Sequence, residues 1–242
     1  MRRVAIVQAR MTSERLPGKI LLDVAGTPML ARQLRRLRRS VQLDAIVIAT
    51  TTNATDDPVV TLASQESVEV FRGDEHDVLG RYLGAARAHD AGLIVRVTGD
   101  CPLIDPTVVD SVVEMATSSS DRCDYASNTI RRSFPRGLDV EALHRDVLER
   151  IGRLATSTPA REHVTYFLHR ERPELFDVRQ VVRSTDASDL RWTVDTADDL
   201  DLIRRMFEEL DADTATTDEL VERVRARPEL SALNQHIEQK KT

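Results

Sequence analysis

Residues 8–19, QARMTSERLPGK, set three cations within ten positions, Arg10, Arg15 and Lys19, with the hydroxyls of Thr12 and Ser13 between them. A guanidinium offers a fork for pairs of phosphate oxygens, an ammonium is a mobile point charge, and loop amides add donors. That set suits a triphosphate. The spacing is neither the GxxxxGK[ST] of a P-loop kinase nor the GxGxxG of the usual nicotinamide enzymes, so both classes lose ground. Carboxylates follow farther along. Asp100 stands in TGDCP, and Asp139 and Glu141 lie two apart, which on a strand points both to one face. Asp195 precedes a helical stretch and by itself reads as a helix cap. Asp77 and Arg81, four apart, read as an ordinary helix ion pair. The six histidines form no HExxH or similar ligand cluster, and Cys101 and Cys123 allow at most one bridge and no four-ligand zinc site. Cys101 reads as a small buried residue.

The elements that must position these groups are legible from apolar periodicity. Buried strands are expected at residues 4–7, 45–49, 68–71 and 93–97, and helices at 28–39, from Asp57-Pro58, at 77–89 and at 105–115. Strands alternating with helices imply βαβ units and a mostly parallel sheet, with ligands at the strands' carboxyl ends. The loop carrying Arg10, Arg15 and Lys19 leaves the first strand at such an end. The second half is less regular. Short strands are expected at 125–127, 138–141, 178–182 and 190–194, with helices at 144–154, 160–170 and 197–210. No linker is visible, so residues 1–228 read as one domain. The polar residues 229–242 read as a loosely ordered tail.

At 242 residues, 41% apolar and 31% charged, the chain is long enough for one sizeable α/β core. No stretch has the roughly 18 apolar residues of a membrane helix, and no apolar signal segment follows Arg2 and Arg3, so a cytoplasmic protein with no membrane partner is expected. A net charge of −6 argues against nonspecific nucleic-acid binding. Residues 1–40 nevertheless hold ten Arg and Lys against Glu14 and Asp23, a basic end on an acidic body that suits a small polyanion. Arg32, Arg35, Arg36, Arg38 and Arg39 read as the solvated face of a helix.

Seven ordered stretches carry a family resemblance: residues 4–21 (VAIVQARMTSERLPGKIL), 71–82 (FRGDEHDVLGRY), 95–106 (VRVTGDCPLIDP), 125–129 (YASNT), 134–143 (FPRGLDVEAL), 161–167 (REHVTYF) and 190–200 (LRWTVDTADDL). Together, spanning residues 4–210, they resemble the CMP-sugar synthetases, the acylneuraminate and 3-deoxy-manno-octulosonate cytidylyltransferases, and above all their spore-coat polysaccharide cytidylyltransferase-like relatives. The resemblance implies a three-layer α/β/α fold of the glycosyltransferase-A-like nucleotidyltransferase kind, with pocket elements mainly within 123–195. It implies transfer of CMP from CTP to a small anionic acceptor with release of pyrophosphate. Arg10 and Lys19 become the main phosphate ligands and Arg15 a third, Arg72 comes near the cytosine ring, and Ala9 and Thr98 join the nucleotide contacts. Thr98 departs from the glutamine of many relatives. Asp100 and Asp195 match the pair that binds Mg²⁺, and Arg10, Lys19 and Asp100 make the catalytic set. For the acceptor the candidates are Arg136, Asp139, Glu141, Arg161 and His163. Relatives are often dimers, and Tyr166-Phe167-Leu168 are expected to serve such an interface. A phosphonate or polyol phosphate as acceptor, a glycosyltransferase of the same fold and a noncatalytic nucleotide-binding protein remain the competing readings.

Overall fold

The first strand, β1 (Arg3–Gln8), has an uninterrupted apolar centre because both its faces are covered. Ala5 and Val7 enter one core with helices on one side of the sheet, and Val4 and Ile6 enter a second core on the other. The computed structural model describes residues 1–118 and 122–238. A two-residue pair, β2 (Asp23–Val24) and β3 (Thr27–Pro28), precedes β4 (Ala45–Thr51), β5 (Glu69–Gly73) and β6 (Leu93–Thr98). Then come β7 (Tyr125–Ser127), β8 (Glu141–His144) and β9 (Val178–Gln180). Seven of these form one sheet in the order β5-β4-β1-β6-β8-β7-β9, in which only β8 runs against its neighbours.

Helices α1 (Met29–Leu37), α2 (Asp57–Gln65) and α4 (Pro106–Thr117) bury apolar stripes in the first core, together with α7 (Ala197–Glu209) and α8 (Thr217–Arg225). The opposite layer holds α3 (Val78–Ala88), α5 (Arg145–Leu154) and the short α6 (Thr158–Glu162). This is the three-layer α/β/α architecture expected, with a mostly parallel sheet.

Several local expectations change. The strand expected at 138–141 forms at Glu141–His144, where Arg96 of β6 faces Glu141. Residues 190–194 form no strand and, among the described residues, a single bridge, Arg136 to Arg191. The helix expected at 160–170 breaks after α6, at β-branched Val164 with φ 24°, and resumes as a π-helical turn over Phe167–Glu171. Phe167 and Leu168 are buried in this chain's own second core, which leaves only Tyr166 for the expected interface. The arginine face of α1 is not all solvated. Arg36 is 2% exposed and donates to the carbonyls of Ile104, Ala212 and Asp213, with burial pushing its pKa down to about 10. The tail is tied down: after α9 (Pro228–Ser231), with Leu230 buried, Asn234 is 3% exposed. Residues 239–242 of that expected tail lie outside the described residues. Among the described residues no helix is long and apolar enough to cross a membrane.

Candidate active site

The strand order changes direction between β1 and β6: the chain builds outward from β1 to β4 and β5, then returns to place β6 on β1's other side. In open parallel sheets the crevice outside such a switch is where ligands bind. Gly99 belongs there because a Cβ would come within 2.9 Å of the Gln8 carbonyl, so the two strand ends meet only with glycine. Gly99 N–H donates to Gln8 O at 2.8 Å and sets Asp100 beside the loop that leaves β1.

That loop is pinned at several points. Met11 N–H donates to the buried carboxylate of Asp56 at 2.8 Å, and Gly18 N–H donates to Met11 O at 2.9 Å. Gly18 takes φ 69°, the left-handed conformation glycine adopts freely, and turns the chain so that buried Ile20 anchors the next residues. Lys19 is thereby aimed inward. Its Nζ donates to Asp100 Oδ2 at 2.9 Å, to Asp195 Oδ1 at 2.8 Å and to the Val194 carbonyl at 2.7 Å.

Asp195 reaches this point because residues 193–194 dock on Asp100. Val194 N–H and the Thr193 hydroxyl donate to the Asp100 carbonyl at 2.9 and 3.3 Å. Asp195 is not the cap of α7; Thr196 is, in a reciprocal box with Asp199. The Asp195 carboxylate is thus left for the cleft. Arg15 approaches its Oδ2 at 2.9 Å and Arg191 at 2.8 Å. Burial alone would lower the Lys19 pKa, but Asp100 and Asp195 outweigh it and hold the ammonium above the ordinary lysine value. Burial alone would raise Asp100, but Lys19 and the Thr98 hydroxyl, 2.7 Å away, hold it below the ordinary value. Cys101 is buried as expected, its thiol pushed well up by burial and by Asp100.

Two adjoining lobes make up the cleft. Ala9, Arg10, Arg15, Lys19, Thr98, Asp100 and Asp195 all line the smaller, of about 270 Å³. The larger, of about 750 Å³, adds Arg136, Asp139 and His163 to residues shared with the first. Three expected residues do not line either lobe. Arg72 donates to the carbonyls of Thr51 and Asn53 and to Asp57, so its guanidinium is consumed beside β4. Arg161 pairs with Asp77, which replaces the expected Asp77–Arg81 pair. Glu141 is buried against Arg96 and the Thr165 hydroxyl, because Asp139 lies outside the strand and the alternation that would align the two does not apply.

Sequence reading missed other groups. Arg132 grips Asp139 with two bonds of 2.9 Å at the wall of the larger lobe. Glu75 lines the same lobe and accepts from Thr12 and Asn53, with Arg10 at 3.6 Å. Asp56 and Arg191 were missed as well, although the spacing of four between Arg191, Asp195 and Asp199 is a visible signal.

Known proteins bear on this geometry. The chain matches the cytidylyltransferase family over residues 4–240. A solved cytidylyltransferase of Leptospira borgpetersenii serovar Hardjo-bovis is similar with a TM-score of 0.93 and 33% identity, over 99% of this chain and 100% of that one. The spore coat polysaccharide biosynthesis protein SpsF of Bacillus subtilis is 31% identical over 210 residues, 84% of this chain and 85% of SpsF. A CMP:2-keto-3-deoxy-manno-octonic acid synthetase solved with CTP shares the fold at a TM-score of 0.67 and 18% identity, over 87% of this chain and 100% of that one. A family match that runs nearly end to end, on a fold whose strand switch gathers the cations and acids expected of it, makes the protein a cytidylyltransferase-family member and a nucleotidyltransferase enzyme.

Proposed function

We propose that the protein transfers CMP from CTP to an anionic sugar or related acceptor, with Mg²⁺ and with release of pyrophosphate. One observation carries the reading: Lys19, Asp100 and Asp195 meet within hydrogen-bonding distance at the mouth of the β1–β6 switch. Two carboxylate oxygens within 2.9 Å of one nitrogen can also share one small cation. Mg²⁺ typically takes one or two carboxylates plus phosphate oxygens and water, so this donor set fits it. Asp100 and Asp195 would hold the ion. Once bound, it would supply positive charge to the phosphates.

The remaining chemistry belongs to the chain. Arg10 and Arg15 hold phosphate oxygens in the smaller lobe, and Ala9 and Thr98 border the nucleotide beside them. The acceptor hydroxyl gives up its proton to solvent and attacks the α-phosphorus in line. Its oxygen–phosphorus bond forms as the bridge between the α- and β-phosphates breaks, and the charge that builds on the departing pyrophosphate is met by Lys19 and the two arginines. Arg136 supports the anionic acceptor. It lines the larger lobe, makes no ion pair among the described residues, and is held below the ordinary arginine pKa by burial and by neighbouring Arg132. His163 lines the same lobe. Asp139, paired with Arg132, binds acceptor hydroxyls in this reading.

Pyrophosphate release, followed with each nucleoside triphosphate against a panel of sugar acids, phosphonates and polyol phosphates, tests this. Release is expected with CTP, with Mg²⁺, and with an anionic acceptor only. No release from any combination, or equal release after chelation of the metal, sinks the proposal.

A further inference from the structure

Behind Asp195 lies a buried polar chain that the reaction above does not use. Asp199 is 0% exposed, yet its carboxylate accepts from the N–H of Asp195 at 2.9 Å and of Thr196 at 3.1 Å. It also accepts from Arg191 Nε at 2.9 Å and Nη2 at 3.1 Å, and from Asn234 Nδ2 at 2.8 Å. A helix cap requires only the bond from Thr196. The others join three places in the chain. Arg191 Nη2 donates to Asp195 Oδ2 as well as to Asp199, and Asn234 Nδ2 donates to the Arg191 carbonyl at 2.9 Å. Asn234 stands just past α9, so the C-terminal segment fixes both the backbone of Arg191 and the partner of its guanidinium.

We propose that Arg191, Asp199 and Asn234 are positioning residues that aim the Asp195 carboxylate at the cation site. With Oδ2 engaged by Arg191 and Arg15, Oδ1 is the oxygen turned to the point now held by Lys19 Nζ. A ligating carboxylate that loses such a support can rotate, and outer partners of metal ligands commonly contribute about 10–100-fold in affinity or activity. The proposal rests on the reading of Asp195 as a metal ligand, and its test separates the two.

Mn²⁺ binding in the presence of CTP, read from the electron paramagnetic resonance of free Mn²⁺, is measured for the unchanged protein and for Asp195→Asn, Asn234→Ala and Arg191→Lys. Metal-free CTP binding and thermal unfolding are followed alongside. Asn234→Ala and Arg191→Lys are expected to weaken Mn²⁺ binding about 10–100-fold while metal-free CTP binding stays within about two-fold. Lysine keeps the charge of Arg191 but loses its fork, so Arg191→Lys decides alone should Asn234→Ala not fold. Variants that melt earlier yet bind Mn²⁺ as the unchanged protein does would show a merely structural network and overturn the proposal. An unchanged protein that binds no Mn²⁺, or an Asp195→Asn variant that loses none, overturns the metal reading and this proposal with it.

Discussion

The Lys19 ammonium donates to Asp100, to Asp195 and to a main-chain carbonyl, so one group screens two carboxylates from each other at the place where phosphate charge would arrive. In the proposed reaction, replacing it removes a cation that the transition state needs more than the ground state does, because charge would build on the departing pyrophosphate. Lys19→Ala is therefore expected to lower kcat at least ~100-fold, about 2.7 kcal/mol of transition-state stabilisation. Steady-state rates equal to those of the unchanged enzyme would remove the loop from catalysis. At this scale the sequence was informative where the residue type itself carries the chemistry. Arg10, Arg15, Lys19, Asp100 and Asp195 all face one lobe. It was uninformative where a side chain has two possible partners. Nothing in the spacing says that Glu141 turns to Arg96, or that Arg72 spends its donors on the backbone beside β4.

Other elements hold the loop after β1, and Asp56 is one of its tethers. Its buried carboxylate accepts from Met11 N–H, from both Thr50 and Thr51 hydroxyls, and from Thr51 N–H. Burial alone would raise its pKa, but those donors outweigh it and hold it below the ordinary aspartate value. A depressed carboxylate contributes stability at every pH above its unfolded value and loses that contribution as pH falls through the folded one. Asp56→Asn is expected to cost about 3 kcal/mol at neutral pH. The gap to the unchanged protein should stay constant down to about pH 4 and close below it. Chemical denaturation across that range checks this, and a gap independent of pH would show that folding does not lower the pKa of the Asp56 carboxyl. The same variant frees Met11 and so should raise the KM for CTP. Elements with long apolar faces, such as β1, β4 and α4, were legible because their pattern reports burial directly. Helix α8 was not, although Thr216 and Glu219 form a capping box in plain view, since its polar surface masks a stripe of only Leu220, Val221 and Val224. The break at Val164 and the shift of β8 depend on packing partners distant in sequence, which no local window contains.

Across the whole molecule, three segments far apart in sequence form the site: the loop after β1, the turn after β6, and residues 191–195 at the entry to α7. Parallel crossovers bring the first two to one sheet edge, a placement readable from the βαβ pattern alone. The third arrives only because Val194 docks on Asp100 and because the C-terminal segment closes over Arg191, contacts that a polar and apparently loose tail conceals. A ligand bridging all three should therefore act on the domain as a unit. CTP with Mg²⁺ at about 100 times its dissociation constant adds about 2.7 kcal/mol by mass action. For a chain of this size that corresponds to a rise in Tm of about 5–10 °C. Amide exchange should slow together at residues 9–21, 98–101 and 191–196, because opening any one of them would release the ligand from the other two. Protection confined to residues 9–21 in the unchanged protein would mean that the nucleotide touches the basic loop without drawing Asp100 and Asp195 into one site.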